Sequence, residues 1–114
     1  MALLNRETIN VLLLQNDKAL IRAILIVNQN QTVDEKLSGA TRHHNGCGFR
    51  PVHAKIGTSM ANFYVRRGYL TDKQIAYWRK LDRKGMTRIG IYWRQLKEAA
   101  EDKQRLATAT SAII

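Results

Sequence analysis

The residues with the most evident chemical capacity are crowded into one short stretch. Arg42-His43-His44-Asn45-Gly46-Cys47-Gly48-Phe49 holds two imidazoles and a thiol, and His53 follows six residues after Cys47. Zinc takes four such nitrogen and sulfur ligands, so His43, His44, Cys47 and His53 make up one candidate metal set. Their spacing matches neither of the paired patterns that mark zinc sites, and adjacent histidines rarely aim at one ion. A Cys/His nucleophilic pair needs a base oriented beside the Cys47 thiolate, and nothing in the sequence fixes one there. The glycines lack the Lys-Ser/Thr ending of a P-loop and the spacing of a dinucleotide site. Asp34-Glu35 reads as first-turn helix charge rather than an acid/base pair. The segment 41–57 is therefore expected to be an irregular structural loop that docks Phe49 against helices. No metal, cofactor or catalytic residue is expected, and a metal-centred enzyme is the outlying reading.

A second constellation is electrostatic. The 114 residues carry 19 Lys and Arg against 9 Asp and Glu, a net charge of +10. Such an excess favours polyanions, nucleic acid first. Most of it lies after Gly57, and between positions 66 and 97 ten basic residues stand against only Asp72 and Asp82. These are Arg66, Arg67, Lys73, Arg79, Lys80, Arg83, Lys84, Arg88, Arg94 and Lys97. Within a helix running to Lys84, Arg79 with Arg83 and Lys80 with Lys84 would lie one turn apart and follow successive phosphates. Contacts of that kind give salt-dependent affinity with no base specificity of their own.

Aromatic residues are interleaved with this charge. Tyr77-Trp78-Arg79-Lys80-Leu81 is echoed as Tyr92-Trp93-Arg94-Gln95-Leu96. Neighbouring helical residues diverge by about 100°, so Tyr and Trp cannot both enter one core. Both Trp residues are expected to pack between helices, as large aromatics at helical spacing usually do. Tyr77 and Tyr92, with Tyr64, are then left at the margin to stack on bases while arginines hold the backbone.

The elements that must position these residues read as helices. Ile9, Leu12 and Leu13, then Leu20, Ile21, Ile24 and Leu25, fall on one helical face, with a break at Asn16-Asp17 where Asp17 serves as N-cap. The run Ile24, Ile26, Val27 also suits a strand, but no hairpin partner is near and helix is preferred. Thr32 and Glu35 form a capping box for a short helix over 33–38, ended by Gly39. Thr58 or Ser59 caps a helix through Arg67, with Gly68 at its left-handed end. Thr71 with Gln74 opens a helix to Lys84, and Thr87 caps a last one over 88–106, with a loose tail over 107–114. The connection Lys84-Gly85-Met86 then makes a helical hairpin or helix-turn-helix. In the latter case Thr87, Arg88 and Ile91 would face a major groove, although Gly90 and Tyr92-Trp93 make that helix look more like a packed element.

The resulting expectation is an all-α, compact bundle of four to five helices with an irregular Gly/His-containing central loop, forming a single domain over 1–106. With 45% hydrophobic residues the chain should fold. Its longest apolar stretch is too short for a membrane span, and its start shows no secretion signal. The single Cys47 excludes an internal disulfide and suits a reducing, cytoplasmic setting. The apolar stripe of the N-terminal helix fits a homodimer seam as well as ordinary core packing.

Four motifs occur in order: Thr32-Val33-Asp34-Glu35, His44-Asn45-Gly46-Cys47-Gly48-Phe49, Leu70-Thr71-Asp72-Lys73-Gln74 and Tyr92-Trp93-Arg94-Gln95-Leu96. As a set they resemble short uncharacterised bacteriophage proteins. The Asn-Gly-x-Gly-Phe loop, the Leu-Thr-x-Lys-Gln helix start and the closing Gln-Leu are also similar to a segment found beside phage and plasmid helicases. The resemblance spans residues 31–96 and implies a phage or mobile-element origin, a nucleic-acid setting and, for a phage protein, the host cytoplasm. It brings no catalytic residues. The leading expectation is a non-enzymatic phage accessory protein that binds DNA or RNA through the 66–97 hairpin. The alternative is a counter-defence or host-takeover protein, such as an anti-CRISPR, that binds a host protein or ribonucleoprotein complex.

Overall fold

The computed structural model describes the backbone of residues 4–38 and 48–113 and the side chains of residues 4–31 and 48–104. His43, His44 and Cys47 lie outside the described residues. Within them the chain is all-α, as its periodicity implies: α1 (Arg6–Gln15), α2 (Asp17–Ser38), α3 (Pro51–Arg67), α4 (Asp72–Arg79), a 3-10 turn (Ile89–Tyr92) and α5 (Trp93–Ile113).

The helix starts arise from local side-chain chemistry. Asn5 and Thr8 cap α1 reciprocally: Thr8 N–H donates to Asn5 Oδ1 (2.9 Å) and Asn5 N–H to Thr8 Oγ1 (3.0 Å). The break after α1 falls where Asn16 and Asp17 predict it. The cap, however, is Asn16, whose Oδ1 accepts from Ala19 N–H (3.0 Å), while Asp17 is the first helical residue, where its charge favours the N-terminal dipole. α2 then runs unbroken to Ser38, with no glycine or proline to end it, so the segment 33–38 is its continuation rather than a separate helix. The side chains of Thr32 and Glu35 lie outside those described. Leu20, Ala23, Ile24 and Val27 put one stripe of α2 into the core.

α3 begins seven residues before Thr58. Pro51 occupies its first turn, where a missing N–H costs nothing, and Gly68 closes it at φ 80° as its type predicts. Gly57 is therefore interior to the helix, and its role is steric. A Cβ at this position would lie 2.5 Å from the Phe49 ring, so the absence of one lets that ring rest on the helix backbone. Phe49 also stacks on Trp78 (centroids 5.6 Å, 30°) and meets Tyr92 edge-on (5.7 Å). Trp78, wholly buried, donates its Nε1–H to Met60 Sδ (2.8 Å). Ile89, Leu70 and Leu96 complete this core.

α4 opens with the Thr71–Gln74 capping box but ends at Arg79, five residues before Lys84. Asp82 is the cause. Its Oδ1 accepts from Lys84 N–H (2.8 Å) and Met86 N–H (3.0 Å), and Gly85 takes φ 81°, so the chain reverses instead of continuing the helix. An antiparallel bridge between Leu81 and Thr87 closes the reversal. Asp82 N–H to Met86 O and Arg88 N–H to Lys80 O, both 2.9 Å, flank that bridge. Thr87 Oγ1 accepts from Gly90 N–H (2.9 Å), but it sits one residue before the cap position, Arg88, of a 3-10 turn that leads into α5. α5 in turn runs to Ile113, through the segment expected to be a loose tail.

The packing at Gly57 gives a direct test. Gly57→Ala is expected to cost about 1–3 kcal/mol in urea denaturation, because Trp78 blocks retreat of the Phe49 ring. Phe49→Leu in the Gly57→Ala background should recover part of that loss, and additive losses would contradict the contact.

Candidate nucleic-acid interface

The loop between α4 and the 3-10 turn, residues 80–88, exposes Lys80, Arg83 and Lys84 on a hydrogen-bonded hairpin. The hairpin is fastened to α1 by one buried carboxamide. Asn10 Nδ2 donates to Gly85 O (3.0 Å), and Asn10 Oδ1 accepts from Thr87 N–H (2.8 Å) and Thr87 Oγ1 (2.9 Å). The one acid in the loop is occupied in holding its shape. Amide hydrogen bonds from Met86 and Lys84 hold the Asp82 carboxyl below the usual carboxylate range, and the charges of Lys84 and Arg6 reinforce this against a small desolvation effect. Arg6, exposed on α1, is thus felt at this carboxylate through its charge, as the smallest of these effects. Its partner Glu7 sits at 3.6 Å with both side chains at least half exposed, a pairing of little strength.

The other cations of the 66–97 segment differ in how far the fold uses them, and even the exposed Arg66 donates from Nε to Asn62 O (3.4 Å). Arg79 Nε donates to Leu13 O (3.0 Å) in the last turn of α1, and its Nη2 meets Asp17 Oδ1 at 2.8 Å, so it ties the α1–α2 junction to α4. Arg88 lies 3.9 Å over the Tyr77 ring and donates from Nη1 to Tyr77 O (2.9 Å), near the C-terminus of α4. Arg79 and Arg83, and likewise Lys80 and Lys84, are not one helical turn apart, because the helix that would align them stops at Arg79. Arg66 and Arg67 are exposed at the end of α3, Lys73 at the start of α4 and Arg94 on α5, while Lys97 is half-buried. Arg67 sits 5.9 Å over Phe63, and Arg94 sits 5.3 Å over Trp93.

The aromatic expectation needs correcting in one copy of the echo. Trp78 is in the core and Tyr77 at its edge, as expected. In the second copy the order inverts: Tyr92 is 4% exposed and Trp93 half-buried. Tyr77-Trp78 lies within α4, whereas Tyr92 ends a 3-10 turn, whose three residues per turn shift the phase of the helix after it. Tyr92 is therefore not a stacking platform for bases. Tyr64 is half-buried against the core. The major-groove variant fails on the same grounds, since Thr87 is wholly buried on Asn10, Arg88 is on Tyr77 and Ile91 packs against the core.

Tyr92 instead completes a buried polar pair. Its hydroxyl accepts from Arg50 N–H (2.9 Å) and is hydrogen-bonded to His53 Nδ1 (2.7 Å), with the phenol donating in the neutral tautomer that carries its proton on Nε2. Burial lowers the His53 pKa, and the Arg88 and Arg50 guanidinium groups lower it further. Burial likewise raises the Tyr92 pKa, against the Arg50 amide. Among the described residues no three His, Cys, Asp or Glu side chains gather around a metal-sized site, and His53 is committed to Tyr92. No helix among them is long and apolar enough to cross a membrane.

The sign of the His53 shift fixes a pH dependence. Above about pH 6.5 neither state holds the proton and stability is full; as the pH falls through that value the unfolded chain binds it first and stability declines. Thermal melts should drop between pH 7.5 and 5.5, by up to about 1.4 kcal/mol per pH unit from this group. His53→Gln should be less stable at pH 7.5 yet flatter across the interval, and an unchanged slope would contradict the assignment.

No protein-family model, curated protein or solved structure matches the chain.

Proposed function

We propose that the chain is a non-enzymatic accessory protein that binds the phosphate backbone of DNA or RNA through the 80–88 hairpin, in the phage or mobile-element setting its motifs suggest. The observation that carries this reading is the pairing of exposed Lys80, Arg83 and Lys84 with a scaffold that is already rigid. Asn10 holds the hairpin, and one Asp82 oxygen, Oδ1, accepts from two backbone amides that fix the turn. A loop ordered before binding loses little entropy on docking, so its cations act at close to full strength. Residues 80–88 include no aromatic side chain, which suits backbone contact rather than base stacking. Arg6, exposed on α1, adds a positive charge that is felt at Asp82.

Leu81 favours a second reading. It is 52% exposed between the hairpin cations, an apolar contact that a protein or ribonucleoprotein target would cover and a phosphate backbone would not. Under that reading the chain is a counter-defence or host-takeover inhibitor of the anti-CRISPR kind.

Titration of labelled oligonucleotides at two salt concentrations tests the first reading. Affinity should fall steeply with salt, and Arg83→Glu with Lys84→Glu should reduce the log–log salt slope by about 2. Absence of binding at low salt would overturn nucleic-acid binding. A host protein retained after nuclease treatment and released by Leu81→Ser would favour the inhibitor.

A further inference from the structure

A different surface of the molecule has the same chemistry. An open groove of about 860 Å³ runs along α3 where it packs beside α2, and it shares no lining residue with α1 or the 80–88 hairpin. Its polar lining is Lys55, Thr58, Ser59, Asn62 and Arg66 from α3 with Gln31 from α2. Gln31 Nε2 donates to Thr58 Oγ1 (3.3 Å), which fixes one wall. Lys55, Ser59, Asn62 and Arg66 are spaced four, three and four residues apart, so they share one helical face, and all four stand exposed on it beside the part-buried Thr58. Eleven residues of helix place the two cations roughly 16 Å apart, the span of several phosphates along a strand.

Charge complementarity identifies the occupant. The sequence from position 36 to 71 contains no Asp or Glu, so α3 itself contributes no negative charge, while Arg50 and Arg67 add positive charge at its ends; the acids nearest in sequence to the lining are Asp34 and Glu35, beyond Gln31 on α2. The described lining offers only hydroxyl, carboxamide and cationic groups with two small aliphatic side chains. Phosphate oxygens and sugar hydroxyls are the groups that such side chains bind. Among its described lining residues the groove offers only Ala54 and Val65 as aliphatic side chains, so it has no deep apolar pocket of the kind that anchors a protein partner.

We infer that the α3 groove is a second phosphate-binding track, lying across which one strand of nucleic acid is held by Lys55 and Arg66 at its ends and by Ser59 and Asn62 between them. The inference rests on the nucleic-acid reading of the hairpin and adds a consequence to it: one chain contacts two separate stretches of backbone. It binds two short oligonucleotides at once, or bridges two segments of a long one.

The test is stoichiometry by isothermal titration calorimetry at low salt, using a single-stranded oligonucleotide of about 4 nucleotides, near the smallest site sizes for such grooves. The native chain should bind two. Lys55→Gln with Arg66→Gln, a pair of exposed substitutions that leave the core untouched, should bind one, and so should Arg83→Glu with Lys84→Glu. Combining all four should abolish binding, with circular dichroism confirming the fold of each variant. If the native chain binds one oligonucleotide and the α3 variant matches it, the second track is overturned while the hairpin reading stands. If the hairpin variant alone matches the native chain, the hairpin reading falls and the groove remains. If no form binds, both fall.

Discussion

Three successive backbone amides, those of Gly48, Phe49 and Arg50, dock the chain before α3 onto the helices, and a side chain from a different element receives each. Gly48 N–H donates to Gln95 Oε1 of α5 (3.0 Å), Phe49 N–H to Gln31 Oε1 of α2 (3.3 Å) and Arg50 N–H to the Tyr92 hydroxyl (2.9 Å). Gln95 closes the pair by donating Nε2 to Gly48 O (3.0 Å) and is itself held by Asn30 Nδ2 (3.0 Å). Non-helical backbone can enter a core only if its polar groups find partners there, each unmet group costing on the order of 1–3 kcal/mol. With those partners present, Phe49 reaches the gap between Gly57 and Trp78, and Trp78 seats α4. The position of the hairpin after α4 depends in turn on that seating.

From this buried framework the cations acquire different roles according to where the chain takes them. Arg79 and Arg88 lie close to helix ends and are used there, one on a carbonyl of α1 and one on the last turn of α4. Lys80, Arg83 and Lys84 stand on a reversal whose own acid is occupied with backbone amides. Net charge alone treats all of these as equivalent. The division matters because a cation already bonded within the fold must give up that bond before it can meet a phosphate, and a free one need not.

The parts of the fold legible in sequence are those decided by near neighbours. The break at Asn16, the left-handed Gly68, the Thr71–Gln74 box and the inward Trp78 each depend on residues within a turn of one another. Phe49 docks on the helices as its loop composition suggests. Gly57 reads as a helix boundary because local rules give glycine that meaning, while its actual cause is the Phe49 ring eight residues earlier in the chain. Extension of α4 to Lys84 is what good helix-forming basic residues imply, and Asp82 overrides them only through the turn it closes. The Tyr92–Trp93 inversion depends on a 3-10 turn that has no sequence period of its own. Asn10, Gln31 and Gln95 are invisible in sequence for a different reason, since polar residues on a helix read as solvent-facing until the distant backbone they serve is in place. Arg6 carries no local signal at all, because its relation to Asp82 spans most of the chain.

The claim that a preformed cationic hairpin is the contact surface is tested most directly by amide chemical-shift mapping of the native chain against an added oligonucleotide. The largest perturbations are predicted on residues 80–88 and on Arg6, with a second set along α3 from Lys55 to Arg66, while the core amides Phe49 and Ile89 move little. Perturbations confined to other surfaces, or none at low salt, would contradict it.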